Sequence, residues 1–109
     1  MTRFVLVVLM IAVMICFLGL NNRASADAKG SGEEEFNTHC KVCHPDGGNI
    51  VNPKKTLHKS DREANNIKTA ADIVKTMRNP GLGMQKFDEA TIPDAEARKI
   101  AEYVLKTFK

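Results

Sequence analysis

The clearest regular pattern of apolar and polar residues lies near the carboxyl end of the chain. Apolar residues recur there at positions i, i+3, i+4, i+7, i+8 and i+11, a spacing that places them on one face of an α-helix. They are Ala97, Ile100, Ala101, Val104, Leu105 and Phe108. The pattern predicts a helix that begins near Pro93 and Asp94 and buries this face against the rest of its domain.

Another helix is predicted upstream, leading into a pair of cysteines. Ser31 and Glu34 have the spacing of a capping box, in which each side chain pairs with an otherwise unpaired amide of the first turn. Phe36, Cys40 and Cys43 then recur at helical spacing. The helix is therefore expected to run into the cysteines, with Phe36 in the core.

The middle of the chain alternates between turn residues and short helical segments. The run Pro-Asp-Gly-Gly-Asn at 45–49 ends the first helix, because proline removes an amide and glycine frees the backbone. A polar loop follows to about Lys59. A short helix is then expected over 60–66, with Ser60 and Glu63 as a second capping box.

A further helix is predicted to start at Thr69 and Asp72 and to stop at Asn79-Pro80-Gly81. Its apolar face consists of Ala70, Ile73, Val74 and Met77. A loop over 81–90 separates it from the last helix. No segment alternates apolar and polar residues as a strand would. The sequence therefore predicts an all-α fold of three to four short helices joined by long loops.

A long apolar run near the amino terminus has the order of an export signal. Arg3 precedes 15 uncharged residues at 4–18, and Ala24-Ser25-Ala26 supplies the small residues of a cleavage site. The run is short for a membrane span of roughly 20 residues. Cleavage of residues 1–26 is therefore favoured, and an uncleaved anchor is the alternative. Cys16 leaves a lipid anchor open, although lipoprotein signals place a small residue where this chain has Ile15.

Cleavage would leave 83 residues, divided into a flexible tail at 27–31 and one domain at 32–109. Loss of Arg3 and Arg23 leaves 14 basic residues against 13 acidic ones, so this part of the chain is close to neutral. It has one Tyr, no Trp and no arginine-rich tract, which argues against a nucleic-acid partner. Loops this long are unusual in so small a domain. A large apolar cofactor inside the fold would explain them.

The two remaining cysteines belong to the run Cys40-Lys41-Val42-Cys43-His44, which is the attachment signature of c-type haem. Two thiols on adjacent helical turns can each add to one vinyl group of the haem, and the histidine that follows supplies an imidazole to the iron. A thiol–disulfide redox pair also uses Cys-x-x-Cys, but in a βαβ setting that this sequence lacks. A structural zinc site needs four converging ligands, which such closely spaced residues cannot provide. The motif therefore predicts one covalent haem c.

The second axial ligand of the iron has four candidates: Met77, Met84, His39 and His58. Met77 falls on the apolar face of a predicted helix, His39 lies beside the cysteines, and His58 sits in a basic loop. Met84 follows Gly81-Leu82-Gly83, a flexible approach that lets a thioether come close to a flat ring. Met84 is therefore the predicted ligand, with His58 as the alternative. Ligation by histidine and methionine raises the reduction potential.

From about residue 32 to residue 109, the chain resembles the c6 branch of class I c-type cytochromes, and in particular c6-like monohaem cytochromes of metal-reducing bacteria. Besides the haem motif, the resemblance rests on Gly32-Glu33-Glu34-Glu35-Phe36, Gly47-Gly48-Asn49-Ile50-Val51-Asn52-Pro53-Lys54-Lys55-Thr56-Leu57, Asn79-Pro80-Gly81, Met84 with Phe87, and Ile100-Ala101-Glu102-Tyr103-Val104-Leu105. It implies a cytochrome c fold around the haem, with thioether links at both cysteines of the motif. It also implies iron ligation by His44 and Met84.

The resemblance further implies that the first helix, at Gly32 and Phe36, contacts the last. The residues expected there are Ile100 and Tyr103. One difference from the family concerns the ligand loop. The family commonly has Met-Pro-x-Phe, whereas this chain has Met84-Gln85-Lys86-Phe87. Proline would stiffen the loop by fixing φ, so this loop is expected to be more mobile.

Further cofactor contacts are implied at Lys55, through its place in the family-like loop, and at Phe87. Basic residues also gather at Lys54, Lys55, Lys59 and Arg62. The functional interpretation is that they contact the haem propionates or an acidic partner, with the best case at Lys55. For any single residue of the four, a solvated side chain is the favoured interpretation.

Together these features favour a monomeric, periplasmic electron carrier with low-spin iron, rather than an enzyme. With both axial positions filled, no substrate reaches the iron, and the protein supplies a potential and a docking face for a donor and an acceptor. The alternative function is a haem-based sensor or peroxidase-like protein with an open or labile distal position. An assembly or structural role is a third hypothesis. Attachment to a membrane would follow from an uncleaved signal or a lipid anchor.

Overall fold

The computed structural model describes residues 30–109, together with Met1 and Val5. Apart from those two residues, the predicted signal segment at 1–26, including Cys16, lies outside the described residues, as does the part of the predicted tail before residue 30. Within the described part of the chain, no helix is long and apolar enough to cross a bilayer.

Four α-helices and one short 3₁₀-helix form the described domain. They are α1 (Gly32–His39), the 3₁₀-helix (Pro45–Gly47), α2 (Lys59–Ala64), α3 (Ala70–Arg78) and α4 (Asp94–Thr107). No strand is present between residues 30 and 109. The all-α prediction is therefore confirmed.

The starts of α1 and α3 follow the predicted capping residues. Ser31 Oγ accepts a hydrogen bond from the amide of Glu34 at 3.2 Å, which is one half of the predicted capping box. At α3 the box is complete, because Thr69 Oγ1 accepts from the amide of Asp72 and the Asp72 carboxylate accepts from the amide of Thr69. Both interactions pair amides that the helix itself leaves free.

The capping box predicted for α2 at Ser60 and Glu63 is wrong. The helix already begins at Lys59, and its N-cap is His58, whose side chain makes no capping bond. The carboxylate of Asp61 fixes the start of α2 instead. Its Oδ2 accepts from the amide of Thr56 at 3.3 Å and from the hydroxyl of Thr56 at 2.5 Å, which draws the preceding loop onto the first turn.

Helix α4 carries the core, and its apolar face packs against α1 and α3. The predicted stripe is buried except for Leu105, which is partly buried at the edge. The buried apolar residues are Phe36, Ile73, Met77, Phe87, Ile92, Ala97, Ile100, Ala101, Val104 and Phe108. One contiguous cluster therefore joins three helices and the loop between α3 and α4.

Helices α1 and α4 approach each other most closely at Gly32. A Cβ atom at this position would meet the carbonyl oxygen of Lys99 and lie 3.0 Å from Cβ of Tyr103, so only glycine allows this approach. One turn later, the ring of Phe36 lies 5.3 Å from that of Tyr103 and 5.5 Å from that of Phe108. The contact that the family resemblance implied between the first and last helices is confirmed.

Candidate cofactor-binding site

The cysteine motif lies where α1 ends. The amides of Cys43 and His44 donate to the carbonyl oxygen of Cys40 at 3.1 and 2.9 Å, so the chain keeps a helical turn through the motif. Both thiols are free; Cys40 is half-buried and Cys43 is exposed. One turn therefore presents two unpaired thiols and an imidazole within five residues.

The imidazole of His44 is fixed by the turn that follows it. Its Nδ1 lies 2.7 Å from the carbonyl oxygen of Gly48. The 3₁₀-helix holds that carbonyl in place, because the amide of Gly47 donates to His44 at 3.1 Å and the amide of Gly48 donates to Pro45 at 2.9 Å. A neutral imidazole that donates through Nδ1 carries its lone pair on Nε2, which is the usual arrangement in a metal-binding histidine.

The ionisation of Cys40 does not suit a thiol–disulfide catalyst. Burial, and secondarily the charge of Cys43, raises the pKa of the Cys40 thiol to about 11 in the chain without attached haem. Reactive redox cysteines have lowered pKa values, because the thiolate is the nucleophile. Among the described residues, no group of three or more His, Cys, Asp and Glu side chains is placed to hold a metal ion. Both competing interpretations of the motif are therefore disfavoured.

Met84 lies in the loop between α3 and α4, and its side chain is partly buried against the core. Before it, Gly83 adopts a φ of +91° and lies against Val51, whose Cγ1 would be 2.7 Å from a Cβ at this glycine. After it, Phe87 is buried, and the amide of Phe87 donates to the carbonyl oxygen of Met77 at 2.9 Å. The loop is therefore tied down on both sides of Met84.

The other three candidates for the distal ligand are engaged elsewhere. Met77 is 3% exposed and belongs to the core, as predicted. The Nε2 atom of His39 lies 3.4 Å from a carboxylate oxygen of Glu35, and its ring meets Phe87 edge-on. The side chain of His58, at the N-cap position of α2, makes no capping bond, and its ring meets Phe108 edge-on at 5.9 Å.

Lys55 and Phe87, the two further residues predicted to contact the cofactor, occupy different environments. Lys55 is exposed, and its backbone closes the preceding loop, since the carbonyl oxygen of Lys55 accepts from Asn49 Nδ2 at 2.8 Å. The ring of Phe87 is part of the hydrophobic core. Their contact with the cofactor stays a prediction.

Arg62 does not belong to the solvated basic cluster, and its assignment there is wrong. The residue is 4% exposed. Its Nε donates to the carbonyl oxygen of Leu57 at 2.7 Å, and its Nη2 donates to that of Phe108 at 3.3 Å. Arg62 thus ties the long loop to the end of α4. The other three residues, Lys54, Lys55 and Lys59, are all exposed, and we call them the basic cluster.

In the chain without attached haem, four large aliphatic side chains around the motif are exposed, and the sequence pattern did not single them out. They are Val42 (77%), Ile50 (63%), Val51 (58%) and Leu82 (107%). Their segments lie side by side, because the amide of Ile50 donates to the carbonyl oxygen of Cys43 at 3.1 Å and Gly83 lies against Val51. We call Val42, Ile50, Val51 and Leu82 the aliphatic patch.

The residues of this site fit a covalently attached haem. Two free thiols, an imidazole with an available Nε2 and a partly buried thioether form the donor set. These atom types match the two thioether links and the histidine and methionine axial ligands of c-type haem. Three chain segments meet at the aliphatic patch: the cysteine motif, the loop with Ile50 and Val51, and the loop that carries Met84.

Comparison with known proteins gives consistent matches. The family model described as cytochrome C oxidase, cbb3-type, subunit III matches residues 27–104. Cytochrome c6 of Cyanidium caldarium is 33% identical over 100 residues, which cover 91% of this chain and 90% of that protein. Cytochrome c6 of Synechocystis is 37% identical over 95 residues, covering 84% and 78%.

Comparison with solved structures shows that the fold is also shared. OmcF, the outer membrane cytochrome F from Geobacter sulfurreducens, is 54% identical, with a TM-score of 0.71 over 72% of this chain and 100% of that one. Cytochrome c6C from Synechococcus is 27% identical, with a TM-score of 0.66 over 71% and 93%.

Proposed function

This chain belongs to the class I cytochrome c family as a c6-like monohaem protein of electron transfer, with one covalently bound haem c, and from that premise we propose that it carries single electrons with iron ligated by His44 and Met84. The observation that carries the proposal is the hydrogen bond between His44 Nδ1 and the carbonyl oxygen of Gly48, at 2.7 Å. It orients an imidazole for ligation directly beside two free thiols.

The haem supplies the one-electron chemistry of its iron, and the protein supplies everything that positions it. Cys40 and Cys43 hold the macrocycle through thioether links, so that its retention does not depend on iron ligation. His44 provides Nε2 as the proximal ligand, with its ring orientation set by Gly48. A histidine held by a backbone carbonyl is also a more basic ligand.

Met84 is proposed as the distal ligand for two structural reasons. Its side chain is partly buried against the core, and the two neighbouring anchors, at Gly83 and Phe87, restrict where its thioether can lie. His58, the alternative distal ligand, is disfavoured because its ring packs against Phe108. A thioether is a soft ligand, and His/Met ligation raises the reduction potential.

A filled distal position favours a carrier over a sensor or a peroxidase-like protein. Peroxide or gas chemistry requires an open site on the iron and polar groups placed around it. Here the segment that leads to Met84 is Gly81-Leu82-Gly83, which brings no acid–base side chain. Substrate access to the iron would require displacement of Met84.

The partners are proposed to be a redox donor and a redox acceptor that dock at the haem edge, beside the aliphatic patch. An apolar surround suits a brief encounter, and redox complexes sit at the small end of interface sizes. Lys54 and Lys55 lie in the loop that follows Val51, and Lys59 begins α2, so we place the basic cluster at the rim of this docking face. Rim charges act mainly on association rate and salt dependence, which favours partners with acidic rims.

Export to the periplasm with cleavage after residue 26 remains part of the proposal. Its support is the order of basic, apolar and small residues at 1–26. The covalent haem is consistent with it, because free cysteines outside the cytosol normally pair as disulfides, whereas here each thiol would be consumed by a thioether link.

The test is the intact mass and visible spectrum of the denatured and native protein, expressed with its full leader in a host that matures c-type cytochromes. We expect the mass of residues 27–109 plus one haem, and a six-coordinate low-spin spectrum in both oxidation states. Two variants distinguish the candidate distal ligands: Met84→Ala should lose the wild-type spectrum, and His58→Ala should keep it. A five-coordinate or high-spin wild-type spectrum would favour the sensor or peroxidase-like alternative, and a mass without haem would overturn covalent attachment.

A further inference from the structure

Arg78, the last residue of α3, makes a three-way contact that the proposed electron transfer does not require by itself. Its Nη1 donates to the carbonyl oxygen of Phe87 at 3.0 Å, and its Nη2 donates to that of Ile92 at 2.9 Å. Nη2 also lies 2.7 Å from a carboxylate oxygen of Asp94. One guanidinium therefore bridges the end of α3, two points of the following loop and the start of α4.

These contacts close the loop that carries Met84. Phe87 is held at both of its backbone polar groups, since its amide donates to Met77 and its carbonyl accepts from Arg78. Met84 lies three residues before this anchor, and the intervening Gln85 and Lys86 are both exposed. Neither of these side chains fixes φ as a proline would. The position of the thioether therefore depends on the anchor more than on stiffness of the intervening chain.

We propose that Arg78 is a positioning residue, which keeps the loop closed at Phe87 and Ile92 and thereby keeps Met84 at the distal position of the iron. This inference rests on the proposed ligation by Met84. It adds a residue that touches neither haem nor iron. Arg78 acts on the equilibrium between two states of the loop: one with Met84 at the distal position, and one in which that position is accessible to another ligand.

The geometry of the contacts explains why arginine serves here. A guanidinium is planar and offers five donors in a fixed fork, whereas a lysine ammonium is a compact charge that cannot reach several separated acceptors in one plane. Phe87 and Ile92 are 5% and 0% exposed, so their carbonyl groups have little access to water in place of Arg78. The Asp94 side chain is 70% exposed, so its ion pair is screened and contributes less.

The experiment measures imidazole binding to the ferric holoprotein, because exogenous imidazole must displace the distal ligand. Its apparent affinity rises with the fraction of molecules in which the distal position is accessible. For Arg78→Lys we expect binding about tenfold tighter than in wild type, equivalent to ~1.4 kcal/mol. Asp94→Asn should change it by less than about twofold, since an exposed ion pair contributes little.

The matched control is Val104→Ala, a core substitution on α4 that lowers global stability without touching the loop. It should leave imidazole affinity at its wild-type value under native conditions. If Val104→Ala tightens binding as much as Arg78→Lys at equal loss of thermal stability, Arg78 has only a general structural role. Unchanged imidazole affinity in folded Arg78→Lys also overturns the inference.

A measurement on the wild-type holoprotein avoids any dependence on how the variant folds. Imidazole binding should speed hydrogen exchange at the amide of Phe87 by at least about tenfold, while the amide of Ile100 in α4 keeps its protection. An unchanged rate at Phe87 would show that the anchor and the ligand are not coupled. If Met84→Ala keeps a wild-type spectrum, the ligation proposal itself fails; if it loses that spectrum while the Arg78 tests fail, only the present inference is overturned.

Discussion

The carbonyl oxygen of Gly48 lies 2.7 Å from Nδ1 of His44, so the backbone of one loop sets the orientation of the proximal imidazole. The turn between the two residues is itself held from elsewhere. Gly47 adopts a φ of +77°, and a Cβ at that position would lie 2.7 Å from Cγ of Phe108. The orientation of the histidine thus depends on an aromatic side chain at the end of α4.

Replacement of Gly47 by alanine tests this dependence. The methyl group would overlap the ring of Phe108 and force a left-handed backbone on a residue with a Cβ. We expect Gly47→Ala to lose about 1–3 kcal/mol of unfolding free energy through overpacking, with a shift in reduction potential. Denaturant unfolding and redox titration measure the two effects.

The matched control for that substitution is Gly81→Ala, because no atom lies within 4 Å of a Cβ built there. Its stability should stay within about 0.5 kcal/mol of wild type. Equal behaviour of the two variants would contradict the packing of Phe108 on this turn.

The two methionines should respond differently to truncation. Met84→Ala is expected to abolish the ferric iron–sulfur charge-transfer band and lower the potential. Met77→Ala should retain the band and lose ~2–5 kcal/mol of stability, as buried methionines do, because Met77 is 3% exposed in the core. The visible spectrum and denaturant unfolding of each variant give the answer. Persistence of the band in Met84→Ala with its loss in Met77→Ala would reverse the assignment.

Arg62 should matter for stability and not for docking. Arg62→Gln would leave the buried carbonyl group of Phe108 and the part-buried carbonyl group of Leu57 without their charged donor, at a cost of about 1–3 kcal/mol for the buried group that stays unpaired. Lys59→Gln, three residues away on the same helix, removes the same charge from an exposed position. It should cost no more than about 0.5 kcal/mol. Similar unfolding midpoints for the two variants would refute the structural role of Arg62.

Docking is tested by a double variant of the basic cluster, Lys54→Gln with Lys59→Gln. Because both side chains are exposed, they are screened within about 8 Å at physiological salt. We therefore expect a moderate loss of association rate, about twofold to tenfold, and a shallower dependence on ionic strength. Stopped-flow reduction by a physiological partner measures both. The control, Lys75→Gln with Lys106→Gln, removes equal charge from α3 and α4; if it slows the reaction equally, only net charge matters.

The capping box of α3 predicts a dependence of stability on pH. The pKa of Asp72 is lowered because its carboxylate accepts hydrogen bonds from the amide of Lys68, and next from that of Thr69. A carboxyl whose pKa is lowered by folding stabilises the fold above its ordinary pKa, near 4, and loses that contribution as pH falls through the lowered value.

Asp72→Asn should therefore unfold at a lower temperature than wild type at neutral pH, and the gap should narrow on acidification below pH ~4. Asp88 also has a lowered pKa, chiefly through the amide of Thr91, so acid unfolding of wild type alone does not isolate Asp72. The contribution of Asp72 is isolated by the difference between the thermal midpoints of wild type and Asp72→Asn, measured across pH. A gap independent of pH would contradict the prediction.

The sequence alone determined the elements whose signals are local. The apolar stripe of α4, the capping residues of α1 and α3, and the haem motif all depend on spacing between near neighbours, so they could be located without coordinates. The start of α2 was misplaced because the group that fixes it, the Asp61 carboxylate on Thr56, competes with an equally plausible local pattern at Ser60.

Tertiary structure decided the residues that act across long separations in the chain. Arg62 and Lys59 are both basic residues of one short segment, yet only Arg62 is buried, because it meets Phe108 at the far end of the chain. The aliphatic patch likewise joins segments that are distant in sequence. Arg78 bridges its own helix to Ile92 and Asp94. A guanidinium becomes structural only where folding brings carbonyl groups within reach and removes their water, and no local pattern records that.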